Sequence, residues 1–266
     1  MCGSAQTTPP ESSSLYPIVA RPSEPVPPTR SSAGANRLLQ TLSGRSLREA
    51  LAESETVDLE FGEVLHEPGA TLTHAYFPTT SFVALLVPVD VASALEVGLV
   101  GNEGMFGTQL ALGVDILPLR AVTLGAGTAL RMEAAAFRRS LARSPALRLA
   151  VDRYTCVRMC QLAQTAACTR FHLVEARLAR WLLMTQDRAG APSFRITQES
   201  LAQMLGVRRV GVSKAAGALR HQGHIQYHRG KIEVMNRRGL KAAACSCYQA
   251  DLDAYDRIVG KEQRPA

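Results

Sequence analysis

The chain has 266 residues, 46% of them hydrophobic and 20% charged, with a formal net charge of +7. That length accommodates two domains, and no apolar run reaches the roughly eighteen residues of a membrane span. A secretory signal's basic segment and apolar core are also absent, so a soluble cytoplasmic protein is expected; six scattered cysteines do not make a disulfide scaffold in a chain this long.

Charge is unevenly distributed. Residues 36–135 carry 5 Lys+Arg against 12 Asp+Glu, residues 136–194 carry 10 against 3, and residues 195–241 carry 10 against 2. An acidic first half joined to a basic second half predicts that only the second meets a polyanion.

Residues 1–35 hold seven of the fourteen prolines and no apolar periodicity, which predicts a disordered tail. Short β-branched runs follow. "VDLEFGEVLHEPGATLTHAYFP" alternates apolar and polar residues and turns at Phe61-Gly62 and Pro68-Gly69. "SFVALLVPV", "ASALEVGLVG", "LRAVTLGAG" and "TALRME" continue the pattern, which indicates a compact β-roll over 36–143.

Helical spacing begins near Ala134 with "AAFRRSLARS". Ser144-Pro145 then opens a long helix, with apolar residues at Leu147, Val151, Tyr154, Val157 and Leu162, ending near Ala167. Such a helix needs a partner, either a two-fold copy of itself or the rest of its own chain. The next helix, "HLVEARLARWLLMTQDR", offers Leu173, Leu178, Trp181 and Leu182 to a core.

"FRITQESLAQMLGV" starts a further helix with Thr197 as N-cap. Ala202, Gly206 and Val212 stand at helix-turn-helix spacing: a small contact, a turn and a packing residue. On a wheel of about 100° per residue, Val212, Ala215, Ala216 and Leu219 form one face of the second helix. Arg209, Val210, Ser213, Lys214 and Gly217 lie opposite, a small and basic surface suited to a groove. "GHIQYHRGKIEVMN" reads as a hairpin whose Arg229 and Lys231 would reach phosphate. With Arg208, these residues are the candidate DNA contacts.

Acidic roll, long helix and basic winged helix-turn-helix, in this order, resemble the Crp/Fnr superfamily of bacterial transcription regulators over roughly residues 36–248. "GEVLHEPGATLTHAYFPTTS", "EVGLVGNEGMFG" and "ITQESLAQMLGVRRVGVSKAAGALRHQGHI" carry the resemblance. It implies an α+β fold: a cupin-like jelly roll over 36–143, a dimerisation helix over 144–170, a winged helix-turn-helix over 171–248 and a C-terminal tail over 249–266. It also implies a homodimer joined through helix 145–167, promoter DNA and RNA polymerase as partners, and an effector sensed by the roll.

Family readers often place Arg-Glu early in the recognition helix and a second Arg four residues after the Glu. Arg209 matches the first Arg, whereas Val210 and Lys214 replace the others, so a different half-site is expected. Gly107 matches the Gly of the nucleotide-binding Gly-Glu pair. Thr108 and Gln109 stand where the Glu belongs, and Arg120 is the candidate phosphate ligand. Without that carboxylate, cAMP binding is not expected.

Neither is an iron–sulfur cluster, because Cys2 alone lies near the N-terminus. Four of Cys156, Cys160, Cys168, Cys245 and Cys247 could form a soft metal or redox site, but their spacing matches no established pattern. They are read as buried free thiols and His172 as a capping or packing residue, with no metal site expected. No phosphate loop, HExxH pair or GxSxG elbow points to an enzyme. The competing reading is a ligand- or redox-sensing module whose basic half binds another protein.

Overall fold

Alternation along residues 55–133 is realised as seven strands: β1 (Glu55–Leu59), β2 (Val64–His66), β3 (His74–Pro78), β4 (Phe82–Pro88), β5 (Ala94–Val100), β6 (Arg120–Gly125) and β7 (Gly127–Glu133). They pair antiparallel in two sheets, ordered β1-β7-β3 and β2-β6-β4-β5. The computed structural model describes residues 36–90, 93–228 and 230–260; the expected tail over 1–35 lies outside these. Gly62 (φ 84°) and Gly69 (φ 79°) take left-handed conformations at the two turns read from the sequence.

Both faces of β4 are buried, each by a different neighbour. Val83 and Leu85 join Phe77, Phe106 and Met132 in the roll's interior. Phe82, Ala84 and Leu86 point the other way, into the core of the helical half. The two-residue period of a strand thus welds the halves together.

Helix α1 (Gly44–Ala52), which carries no signal read above, buries Ala50 against the roll's interior. Helix α2 (Ala134–Arg143) seals the interior with Phe137. Helix α3 (Pro145–Phe171) starts where expected, with the Ser144 side chain accepting a hydrogen bond from the Leu147 amide at 3.2 Å, and runs past Ala167. Leu147, Val151, Tyr154 and Val157 pack into the roll of the same chain, so the apolar series needs no second copy. A Cβ on Gly104 would stand 1.9 Å from the Tyr154 ring, so this glycine is the socket that seats α3.

The second half comprises α4 (Val174–Ala189), β8 (Ser193–Arg195), α5 (Gln198–Leu205), α6 (Arg209–His221), β9 (Ile225–His228), β10 (Lys231–Val234), α7 (Arg237–Ala243) and α8 (Cys247–Ile258). Leu178, Trp181 and Leu182 enter its core as expected. Leu173 does not: it is the extended residue before α4 and is 82% exposed. The tail expected from residue 249 is also corrected. Tyr248, Asp251 and Tyr255 give α8 a buried face that packs on α3, with the Tyr255 hydroxyl donating to the Glu103 carbonyl at 2.7 Å.

Polar contacts reinforce the junction of the halves. Trp181 Nε1 donates to Glu96 Oε2 at 2.9 Å, and Arg188 pairs with Glu103 at 2.7 Å. Burial pushes the Glu96 carboxyl up to about 7, against the opposing pull of the Trp181 hydrogen bond and of Arg188, Arg180 and Arg158.

Candidate nucleic-acid interface

Thr197 caps α5 by accepting the Ser200 amide at 3.0 Å. Gly206 ends that helix at φ 61°, a left-handed turn that redirects the chain into α6. Val212, Ala215, Ala216 and Leu219 are then buried, at 0%, 5%, 4% and 0% exposure. The opposite face is open. Arg208, Arg209, Val210, Ser213 and Lys214 are exposed, and Gly217 is half-buried beside them.

Between Glu199 and Glu233 there is no Asp or Glu, so nothing of opposite sign interrupts this surface along the chain. Ser213 Oγ donates to Gln198 Oε1 at 2.6 Å, which ties the start of α5 to the exposed face of α6. Arg208 gives α6 no side-chain cap. A helix start of this kind presents amides and positive dipole to a phosphate.

The hairpin is β9 and β10, joined on the far edge by β8 into a three-stranded wing. Lys231 is exposed at the start of β10, opposite Arg195 and His228. Arg229, at the tip, lies outside the described residues. Arg195 adds an exposed cation that the sequence reading passed over, because β8 is too short for its alternation to register.

A second cleft lies between the roll and α3. Gly107 (φ 97°), Thr108 and Gln109 line it with Phe106, Arg158 and Leu162. Arg120 stands outside this group, its guanidinium paired with Glu67 at 3.0 Å. The cation in the cleft is instead Arg158, which donates to the Leu99 carbonyl at 3.2 Å and to Gln161 Oε1 at 2.7 Å. It lies 49 residues beyond Gln109 in the chain, roughly 160 Å if fully extended, and on another element, so spacing could not reveal it. None of the lining residues is a carboxylate.

The thiols divide into two kinds. Cys156 and Cys160 are exposed on α3, contrary to the expected burial, because the roll covers the other side of the helix. Cys168, Cys245 and Cys247 are buried, and His172 joins them at the end of α3, where its backbone N–H closes the helix. Hydrogen bonding from Cys245, with His172 and Arg180 adding to it, holds Cys168 below the usual thiol range.

Residues 176–243 match the family model of the Crp-like helix-turn-helix domain. Transcriptional regulator SdrP of Thermus thermophilus is 28% identical over 200 residues, which are 71% of this chain and 94% of that protein. Among solved structures, FixK2 of Bradyrhizobium japonicum superposes with a TM-score of 0.62 at 14% identity, covering 72% of this chain and 98% of its own. The c-di-GMP responsive global regulator CLP of Xanthomonas campestris gives 0.59 at 17% identity, covering 71% and 97%.

Proposed function

We propose that this chain, a Crp-family transcriptional regulator with a helix-turn-helix DNA-binding domain, acts as a homodimer that lays α6 in the major groove of a two-fold symmetric promoter site. The observation that carries this reading is the division of α6 into a fully packed apolar face and an exposed, carboxylate-free basic face. Arg209 reads guanine, Val210 meets a thymine methyl, and Lys214 takes a guanine or a phosphate. Arg208, Arg229 and Lys231 hold the backbone. RNA polymerase is the partner through which such a dimer acts, in the cytoplasm; among the described residues no helix is long and apolar enough to cross a membrane.

Support for the dimer comes from the side of α3 that the roll leaves uncovered. Leu149, Cys156, Cys160, Ala163 and Ala167 are all exposed, at the seven-, four- and three-residue spacings of a helix-pairing seam. A small effector or a redox signal acts on the roll and repositions the helix-turn-helix. A ligand in the cleft of Thr108, Gln109 and Arg158 would press on α3 itself, and the lack of a lining carboxylate argues for a ligand other than cAMP.

Selection of duplexes from random sequence tests this reading. The expected product is an inverted repeat with half-sites about one helical turn apart, bound more tightly than its scrambled form. Recovery of no duplex, with or without added metabolites, would sink it.

A further inference from the structure

We propose that Cys168, His172, Cys245 and Cys247 form a mononuclear tetrahedral zinc site that pins the end of α3 to the segment joining α7 and α8. Their ligand atoms all lie within 4.8 Å of one another. Cys168 Sγ is 3.5 Å from Cys245 Sγ, and Cys247 Sγ is 3.4 Å from His172 Nδ1. A tetrahedron with Zn–S of about 2.3 Å and Zn–N of about 2.0 Å has S–S edges of about 3.8 Å and S–N edges of about 3.5 Å. A disulfide requires about 2.05 Å, so the 3.5 Å pair is not one. The ligands of an iron–sulfur cluster are shared among several irons and spread wider than one tetrahedron's edge.

Local structure explains how two distant segments converge. Cys168 and His172, at i and i+4, share a face of the last turn of α3. Cys245 and Cys247 flank Ser246 at the entry to α8, and the Cys245 amide is held by the Ala176 carbonyl at 3.4 Å. The surroundings suit a bound dication. Gln164 Nε2 donates to Cys247 Sγ at 2.9 Å, an outer-shell hydrogen bond of the kind that orients a thiolate ligand. Three thiolates around a dication leave one negative charge. Arg177, buried beside Cys168 and Cys245 and hydrogen-bonded to the Leu205 carbonyl rather than to a carboxylate, is placed to balance it. Half-buried His172 gives the ion an entry from solvent. On binding, each thiol still protonated gives its proton to water, and His172 ligates through the Nδ1 lone pair.

The site spans the break at His172-Leu173, where α3 of the roll body gives way to α4 of the DNA-binding body. Metal occupancy therefore sets how rigidly that break is held. The inference is independent of what α6 binds.

Cobalt(II) titration of the full-length, reduced, metal-free protein tests it. Expected are one Co2+ per chain, thiolate-to-cobalt charge-transfer absorption, intense tetrahedral ligand-field bands, and bleaching of both on adding Zn2+. A Cys156→Ser/Cys160→Ser variant should keep the spectrum. His172→Ala, which alters a half-buried residue and leaves every thiol, should shift the bands and weaken Co2+ binding by more than about tenfold. Cys247→Ser should lose the three-thiolate spectrum, with circular dichroism confirming its fold. No tetrahedral bands in protein whose thiols all titrate as free, or loss of the bands in the Cys156→Ser/Cys160→Ser variant instead, would overturn the proposal.

Discussion

Arg209 is the residue on which the proposed base reading rests. Its exposure follows from a helical period that buries Val212, Ala215 and Ala216 on the far side, which is why it was legible without coordinates. Arg209→Ala should weaken the selected site by about 1–3 kcal/mol while scarcely changing affinity for scrambled DNA, as competition binding would measure. Glu96 was not legible, because nothing in "ALEVG" says which carboxylate the fold will seal under Trp181. Its raised carboxyl binds a proton in the folded state at pH values where the unfolded chain has released it. Folded wild type therefore loses stability as pH rises from near 4.5 to about 7, and the loss is complete above that. Glu96→Gln keeps an acceptor for Trp181 and has no charge to bury. It should match wild type near pH 4.5 and exceed it by up to roughly 3 kcal/mol at pH 8 in denaturant melts. Equal pH profiles for the two proteins would show that Glu96 ionises freely. Gly104→Ala should cost about 1–3 kcal/mol by forcing Tyr154 out of its socket, read in the same melts.

Elements were legible where one period ran unbroken. The strands from β4 to β7 and the helices α3 to α6 lie close to where alternation and caps place them. Two features were hidden for physical reasons. The apolar series of α3 has the right spacing for a partner of either kind, and only the packed roll shows that the partner is the chain's own β-domain. Cys168 and His172 lie more than 70 residues from Cys245 and Cys247, so no local spacing brings the four side chains together. The uncovered strip of α3 supports its own prediction. Ala163→Glu places like charges across a two-fold seam without disturbing a buried contact, and should convert dimer to monomer by light scattering. A variant that stays dimeric would move the interface off this strip.

At the scale of the whole molecule, the acidic roll and basic helix-turn-helix are not independent bodies. They share a core through β4 and a buried ion pair between Arg188 and Glu103. In the proposed function, a ligand in the cleft at Arg158 would press on α3, which runs to the break at His172 where Cys168, His172, Cys245 and Cys247 cluster. The sequence revealed the asymmetry of charge between the halves, because it is a property of composition. It could not reveal the docking, because β4 reads as one apolar run whichever neighbour covers each face. The most direct measurement of the central claim is the salt dependence of duplex binding for wild type and Arg209→Ala. The account predicts that log affinity falls linearly with log salt, by about 0.9 per phosphate neutralised. It further predicts the same slope for both proteins on scrambled DNA, with Arg209→Ala displaced to weaker binding on the selected site alone. Affinity that ignores salt, or equal losses on both duplexes for Arg209→Ala, would contradict it.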